Sequence, residues 1–254
     1  MIIDTHAHYD DEVFDTDRDE LLKSMKEANI GCIVNIGASL RGCRDTIALT
    51  EQYDFIYGSI GVHPSDTDDL NEESFQWLRE NCRKEKIVAV GEIGLDYHYP
   101  EPSVSRQKYW FERQLALAGE VKLPVVIHSR EAAKDTLDIM KAFQDKLPGG
   151  VIHCFSYGAE MAREYVDMGF YIGVGGVITF KNGKKLKEVV KYLPMDKIVL
   201  ETDCPYLAPE PNRGKRNISL NLPYVIRAVA ELKGLTEEEV IRRTEENARN
   251  LYSI

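Results

Sequence analysis

The sequence predicts an α/β fold, a (β/α)8 TIM barrel forming a single domain over residues 1–254, with a metal site at the C-terminal ends of the strands. Three observations predict it. Eight short β-branched runs recur along the chain, and a stretch of helical apolar period follows each. Shared among eight units, 254 residues give about 32 each, the size of one βα unit. The units share no sequence identity, so this is not a solenoid repeat. An open doubly wound sheet competes with the barrel, but no G-x-G-x-x-G follows the first run, which weakens its dinucleotide-binding form.

The predicted strands are Met1 to Thr5, Cys32 to Ile36, Phe55 to Gly61, Ile87 to Ile93, Val125 to His128, Val151 to His153, Phe170 to Val174 and Ile198 to Glu201. A helix over Asp17 to Asn29 would place Leu21, Leu22, Met25 and Ala28 on one face. A second, over Arg106 to Val121, would do so with Tyr109, Trp110, Leu115 and Leu117. Further helices are expected near 41–53, 72–84, 131–145, 158–168 and 183–193, and two more near 219–233 and 236–252.

Composition narrows the function. The net charge is −10, which argues against a protein that coats nucleic acid through overall basicity but leaves local phosphate contacts open. The longest uncharged apolar-rich run, Gly169 to Phe180, has 12 residues, too few for a membrane span of about 20. No basic residue precedes Arg18, so no signal or transit peptide is expected. The five cysteines are widely spaced without C-x-x-C, which fits a reducing, cytoplasmic setting.

Five of the six histidines fall at or just past a predicted strand end: His6, His8, His63, His128 and His153. Glu92 and Asp203 occupy the same kind of position, and only His98 falls in a clear loop. Along this series the steps of 25–36 residues match one βα unit and those of 50–55 match two. In a barrel these side chains converge at the top of the strands. Imidazole and carboxylate together suit Zn²⁺, Mn²⁺ or Fe, and a carboxylate-rich site also admits Mg²⁺. His6-Ala7-His8 can send both rings to one metal, because residues two apart on a strand share a face. The same alternation turns Cys154 and Cys204 away from it. His63 stays open between metal ligand and substrate contact.

In order along the chain stand Asp4-Thr5-His6-Ala7-His8, Gly61-Val62-His63-Pro64, Gly91-Glu92-Ile93-Gly94-Leu95-Asp96-Tyr97, Pro124 to Arg130, His153-Cys154-Phe155-Ser156 and Glu201-Thr202-Asp203 running on to Pro209. With these motifs the sequence resembles the TatD family of metal-dependent deoxyribonucleases, within the amidohydrolase superfamily, over the whole chain. The resemblance implies two divalent metal ions (Mg, Mn or Zn). His6, His8 and Asp203 would hold one and His128 and His153 the other. Glu92 would bridge them in place of the carboxylated lysine of other amidohydrolases. It also implies hydrolysis of DNA phosphodiesters, often as a 3′→5′ exonuclease. Some relatives are linked to other substrates, such as aminoacyl-tRNA esters. Two loops depart from the family pattern: Tyr157 stands where glycine is usual, and Ile218-Ser219 where Glu-Pro is common. Both bear on substrate preference.

Asp203 is the candidate base, able to bind metal and accept a proton from water. Asp4 either orients a ligand histidine or caps its strand. Arg130 either contacts substrate phosphate or pairs with Glu131 or Asp135. Arg213, Lys215 and Arg216, in a loop of no helical period, are expected to contact substrate, single-stranded DNA or a 3′ end. Lys184, Lys185 and Lys187 read better as a solvated helix face. Phe180 and Tyr157 read as packing rather than as base-stacking platforms. Neither a membrane nor an obligate protein partner is expected. The competing functions are hydrolysis of another ester or amide, and metal binding without catalysis. An open ligand set argues against the latter.

Overall fold

A computed structural model describes residues 1–254. Its eight strands are β1 (Ile2–Ala7), β2 (Ile30–Gly37), β3 (Ile56–Ile60), β4 (Ile87–Asp96), β5 (Val125–Arg130), β6 (Gly150–Ile152), β7 (Tyr171–Val174) and β8 (Ile198–Leu200). All pair in parallel, in chain order, within one sheet. The ring closes where His8 N–H donates to the Cys204 carbonyl at 2.8 Å and Asp203 N–H donates to that of His6 at 2.9 Å. The nine helices are α1 (Arg18–Ser24), α2 (Leu40–Gln52), α3 (Glu72–Asn81), α4 (Val104–Val121), α5 (Ala133–Phe143), α6 (Ala159–Asp167), α7 (Lys184–Tyr192), α8 (Leu222–Lys233) and α9 (Glu237–Tyr252). None is long and apolar enough to cross a membrane. The barrel expectation holds strand by strand, because both faces of each strand are covered and favour β-branched residues.

Three local expectations are corrected. The first helix stops at Ser24, and Met25–Ala28 tighten into a 3₁₀ turn that Asn29 ends in the left-handed region (φ 62°). In α4 the buried face includes Phe111 and not Tyr109, which is half exposed. Arg113 lies over the Tyr109 ring and donates to its hydroxyl at 2.7 Å, holding it outside. β4 runs three residues past its expected end. Gly91 and Gly94, at φ 156° and 149°, let the strand shift register between Val90 and Ile93 and resume pairing with β5 as far as Asp96 opposite Arg130. Glu92 therefore sits inside the strand and Asp96 ends it.

The last helix anchors the first strand. Thr236 and Glu239 cap the start of α9 reciprocally. At its other end the buried Tyr252 donates its hydroxyl to the Thr5 carbonyl at 3.1 Å. That bond and the Asp4 carboxylate fix β1 from below. Asp4 accepts from Thr202 Oγ1 and Ser219 Oγ, each at 2.6 Å, and from Thr202 N–H at 3.0 Å. It thus ties β1 to the segment that carries Asp203, and touches no histidine ring.

Candidate metal centre

The strands deliver Glu92 and Asp96 from β4 and His128 from β5 to one cavity, with His6 of β1 buried beside it and His8 one residue past the end of β1. His153 and Asp203 arrive just past β6 and β8. The cavity encloses ≈ 560 Å³ at the C-terminal ends of the strands. Asp203 adopts φ 58°, uncommon for a non-glycine residue, and its bond to His6 holds it there.

The outer nitrogen of His8 shows what its inner one can do. His8 Nδ1 donates to the Ile36 carbonyl at 2.8 Å, so its neutral ring offers an Nε2 lone pair inward. That nitrogen lies 3.1 Å from His6 Nε2 and 3.4 Å from Asp203 Oδ1, and His6 Nε2 lies 3.6 Å from the same oxygen. His128 turns Nδ1 to Glu92 Oε1 at 2.9 Å and Nε2 to Asp96 Oδ2 at 3.1 Å. His153 Nε2 lies 3.7 Å from both Glu92 Oε1 and Asp203 Oδ1, with Nδ1 3.2 Å from Glu201 Oε2. In His8 an outer acceptor and an inward nitrogen match the way proteins prepare metal-binding imidazoles, whereas Nδ1 of His6 has no hydrogen-bond partner. Glu92, Asp96, Glu201 and Asp203 add formal negative charge around these rings. The set fits divalent cations, with Glu92 reaching both halves: its Oε2 is 3.6 Å from His6 and its Oε1 faces His128.

Protons answer the same field. Burial opposes a charge on His8 and His153, but the surrounding carboxylates override it, raising His8 to about 9 and His153 to about 10. His6 moves the other way, its charge disfavoured by burial and by His153. Glu92 is also buried, yet His153, His128 and His6 hold it well below the usual carboxylate range; Asp203 is lowered likewise by His153 and His8. The signs set a pH window for the metal-free protein. His8 and His153 stabilise the fold fully below about pH 6.5, and that contribution is lost as pH rises through 9 to 10. Glu92 and Asp203 contribute above pH ~4 and lose their contribution in acid. Metal-free protein should therefore melt at lower temperature at pH 10 than at pH 7. Equal melting temperatures in a fluorimetric scan would contradict these couplings.

His63 has a different wiring. Its Nδ1 faces Ser65, 2.5 Å from Oγ and 3.2 Å from the backbone N, and its Nε2 faces the cavity 4.0 Å from Glu92 Oε1. Burial and neighbouring His128 lower it to about 4, so the ring is neutral near pH 7. Arg130 lines the same cavity over the Tyr99 ring, 5.7 Å from its centroid. The pairings left open for it are made by others: Glu131 takes His98, while Asp135 takes Lys108 and the Tyr97 hydroxyl.

The basic loop behaves otherwise. Arg216 is held bidentately by Asp17, at 2.8 and 2.5 Å, and donates to the Val13 carbonyl, so it is not the free substrate contact expected. Arg213 lies over Phe180, 4.3 Å from its centroid, and Lys215 is exposed; none of the three lines the cavity. Lys184 and Lys185 are exposed on the first turn of α7, as a solvated face requires. Tyr157 packs, its hydroxyl bonded to Ser129. The alternation assumed for Cys154 fails. β6 ends at Ile152 and Cys154 takes φ 44°, which brings its sulfur within 4.8 Å of ligand atoms of His153 and Asp203. Two carboxylates escaped sequence reasoning. Asp96 follows Glu92 by four residues and Glu201 precedes Asp203 by two, and a search for acids paired with the strand-end histidines would have found both.

A profile of the family described as TatD related DNase matches residues 3–253. The chain is 46% identical to the metal-dependent hydrolase YabD of Bacillus subtilis, over all of both chains. It is 35% identical to the 3′-5′ ssDNA/RNA exonuclease TatD of Cronobacter sakazakii, over 94% of this chain and 93% of that one. The crystal structure of YJJV, a TatD homologue from Escherichia coli, superposes with a TM-score of 0.93 at 32% identity, covering 100% of this chain and 98% of the other. With that barrel, those relatives and this convergence of histidines and carboxylates, the chain belongs to the TatD family of metal-dependent hydrolases.

Proposed function

We propose that this protein hydrolyses phosphodiester bonds at the 3′ end of single-stranded DNA, using two divalent cations in the central cavity. The observation that carries it is the convergence of four imidazoles on Glu92 and Asp203, with His8 turned inward by its bond to the Ile36 carbonyl. His6, His8 and Asp203 would hold one cation and His128 and His153 the other, with Glu92 serving both. Bound there, the cations supply Lewis acidity and neutralise developing phosphoryl charge. The nitrogen-rich donors suit Zn²⁺ or Mn²⁺ better than Mg²⁺. The exonuclease name of several relatives supports the substrate class.

The chain's own groups complete the chemistry. Asp203, ionised and partly open to the cavity, accepts a proton from the attacking water. His63, neutral near pH 7, presents Nε2 to the substrate phosphate. Arg130, with no carboxylate partner, presents its guanidinium to the same group. Arg213 and Lys215 remain contacts for the strand outside the cavity. The acidic cavity repels a continuous duplex backbone and admits a strand end.

The test is metal-reconstituted protein on 3′- and 5′-labelled single-stranded DNA, with duplex DNA and aminoacyl-tRNA in parallel. Stepwise shortening from the 3′ end is expected. Turnover of the aminoacyl ester alone would replace this function with the competing one. Arg130→Ala should weaken binding of single-stranded DNA about tenfold or more and lower the slope of log K against log salt by about one. An unchanged slope would remove Arg130 from the phosphate.

A further inference from the structure

Glu201 is 1% exposed, and no lysine or arginine pairs with it. Its Oε1 accepts the Cys154 N–H at 2.6 Å. Its Oε2 lies 3.2 Å from His153 Nδ1, off the line of a good hydrogen bond, and neither atom has another partner. The site is shaped for this carboxylate from the far side. A methyl group at Gly173, in β7, would stand 2.7 Å from Glu201 Cδ and nearer still to Oε2. Only glycine admits the group to that depth.

We propose that Glu201 is a positioning residue that keeps the proton of His153 on Nδ1, so that Nε2 faces the cavity as a ligand, and that Gly173 makes the room. The inference rests on the reading of His153 as a metal ligand. The Cys154 N–H makes it specific to the acid. In Glu201→Gln the amide oxygen stays on Cys154, so the NH₂ group meets His153 Nδ1. A donor there draws the proton to Nε2, where it blocks coordination.

The experiment is calorimetric titration of metal-free protein with ZnCl₂ against a competing chelator, beside melting of the metal-free forms. Wild type should bind two equivalents. Glu201→Gln should weaken one of the two by 10- to 100-fold without lowering the metal-free melting temperature. Gly173→Ala, which touches no ligand, should give the same selective loss. Unchanged affinities in both variants would overturn the proposal. So would equal weakening of both sites with a lower melting temperature, the mark of a merely structural role. Wild type that binds no zinc would instead overturn the metal-centre reading, and the proposal with it.

Discussion

Glu92→Gln should lower kcat/KM on single-stranded DNA about 10³-fold or more, equivalent to ~4 kcal/mol of transition-state stabilisation. Glu92 is the carboxylate that both halves of the cavity share, with one oxygen toward His6 and the other toward His128. Its amide is isosteric and leaves the bulge at Gly91 and Gly94 intact. The far-ultraviolet circular dichroism should therefore match wild type while metal uptake fails. Turnover retained by the variant with its metal lost would sink the two-metal account. An unfolded variant would show that the charge is needed by the fold, and Glu92→Asp would then separate reach from charge.

Asp203→Asn should cost about 10²–10⁴ in kcat, the range for losing a positioned general base. Two roles are superposed at this residue, and metal content separates them. If Asp203 is chiefly the base, the variant keeps most of its metal and loses kcat with little change in KM. The wild-type rate should hold down to the acid range, because His153 and His8 keep Asp203 ionised below the usual carboxylate value. The acid limb then reports its protonation, and the variant should lack that limb. A variant with wild-type kcat would reassign the proton to another group.

The architecture was legible because it depends on local patterning repeated many times. Each strand is a short β-branched run covered on both faces, and each helix has its own apolar stripe. The histidines were legible for a related reason: barrel strands end at one face, so spacing along the chain maps onto position around the ring. What escaped depends on contacts between units. Asp96 matters only because β4 bulges at its glycines and carries pairing past Glu92. Glu201 matters because β6 and β8 bring it beside His153 and because β7 leaves a gap at Gly173. The state of Arg130 is decided by Lys108, Tyr97 and His98, which occupy the acids nearest to it in sequence. Arg216 is withdrawn by Asp17, 199 residues away along the chain. None of these pairings has a periodicity to read.

The surroundings of each imidazole set its part in the cavity. His8 spends its outer nitrogen as a donor to Ile36 and keeps a lone pair for the centre, whereas His63 sets its outer nitrogen against Ser65 and stays neutral near pH 7. Residue type alone makes these histidines equivalent; their neighbours make them different.

Anomalous diffraction from a zinc- or manganese-soaked crystal tests the central claim most directly. Two peaks are predicted in the cavity, one coordinated by His6, His8 and Asp203 and the other by His128 and His153, with Glu92 reaching both. A single peak, or peaks whose ligands exclude Glu92, would contradict the account.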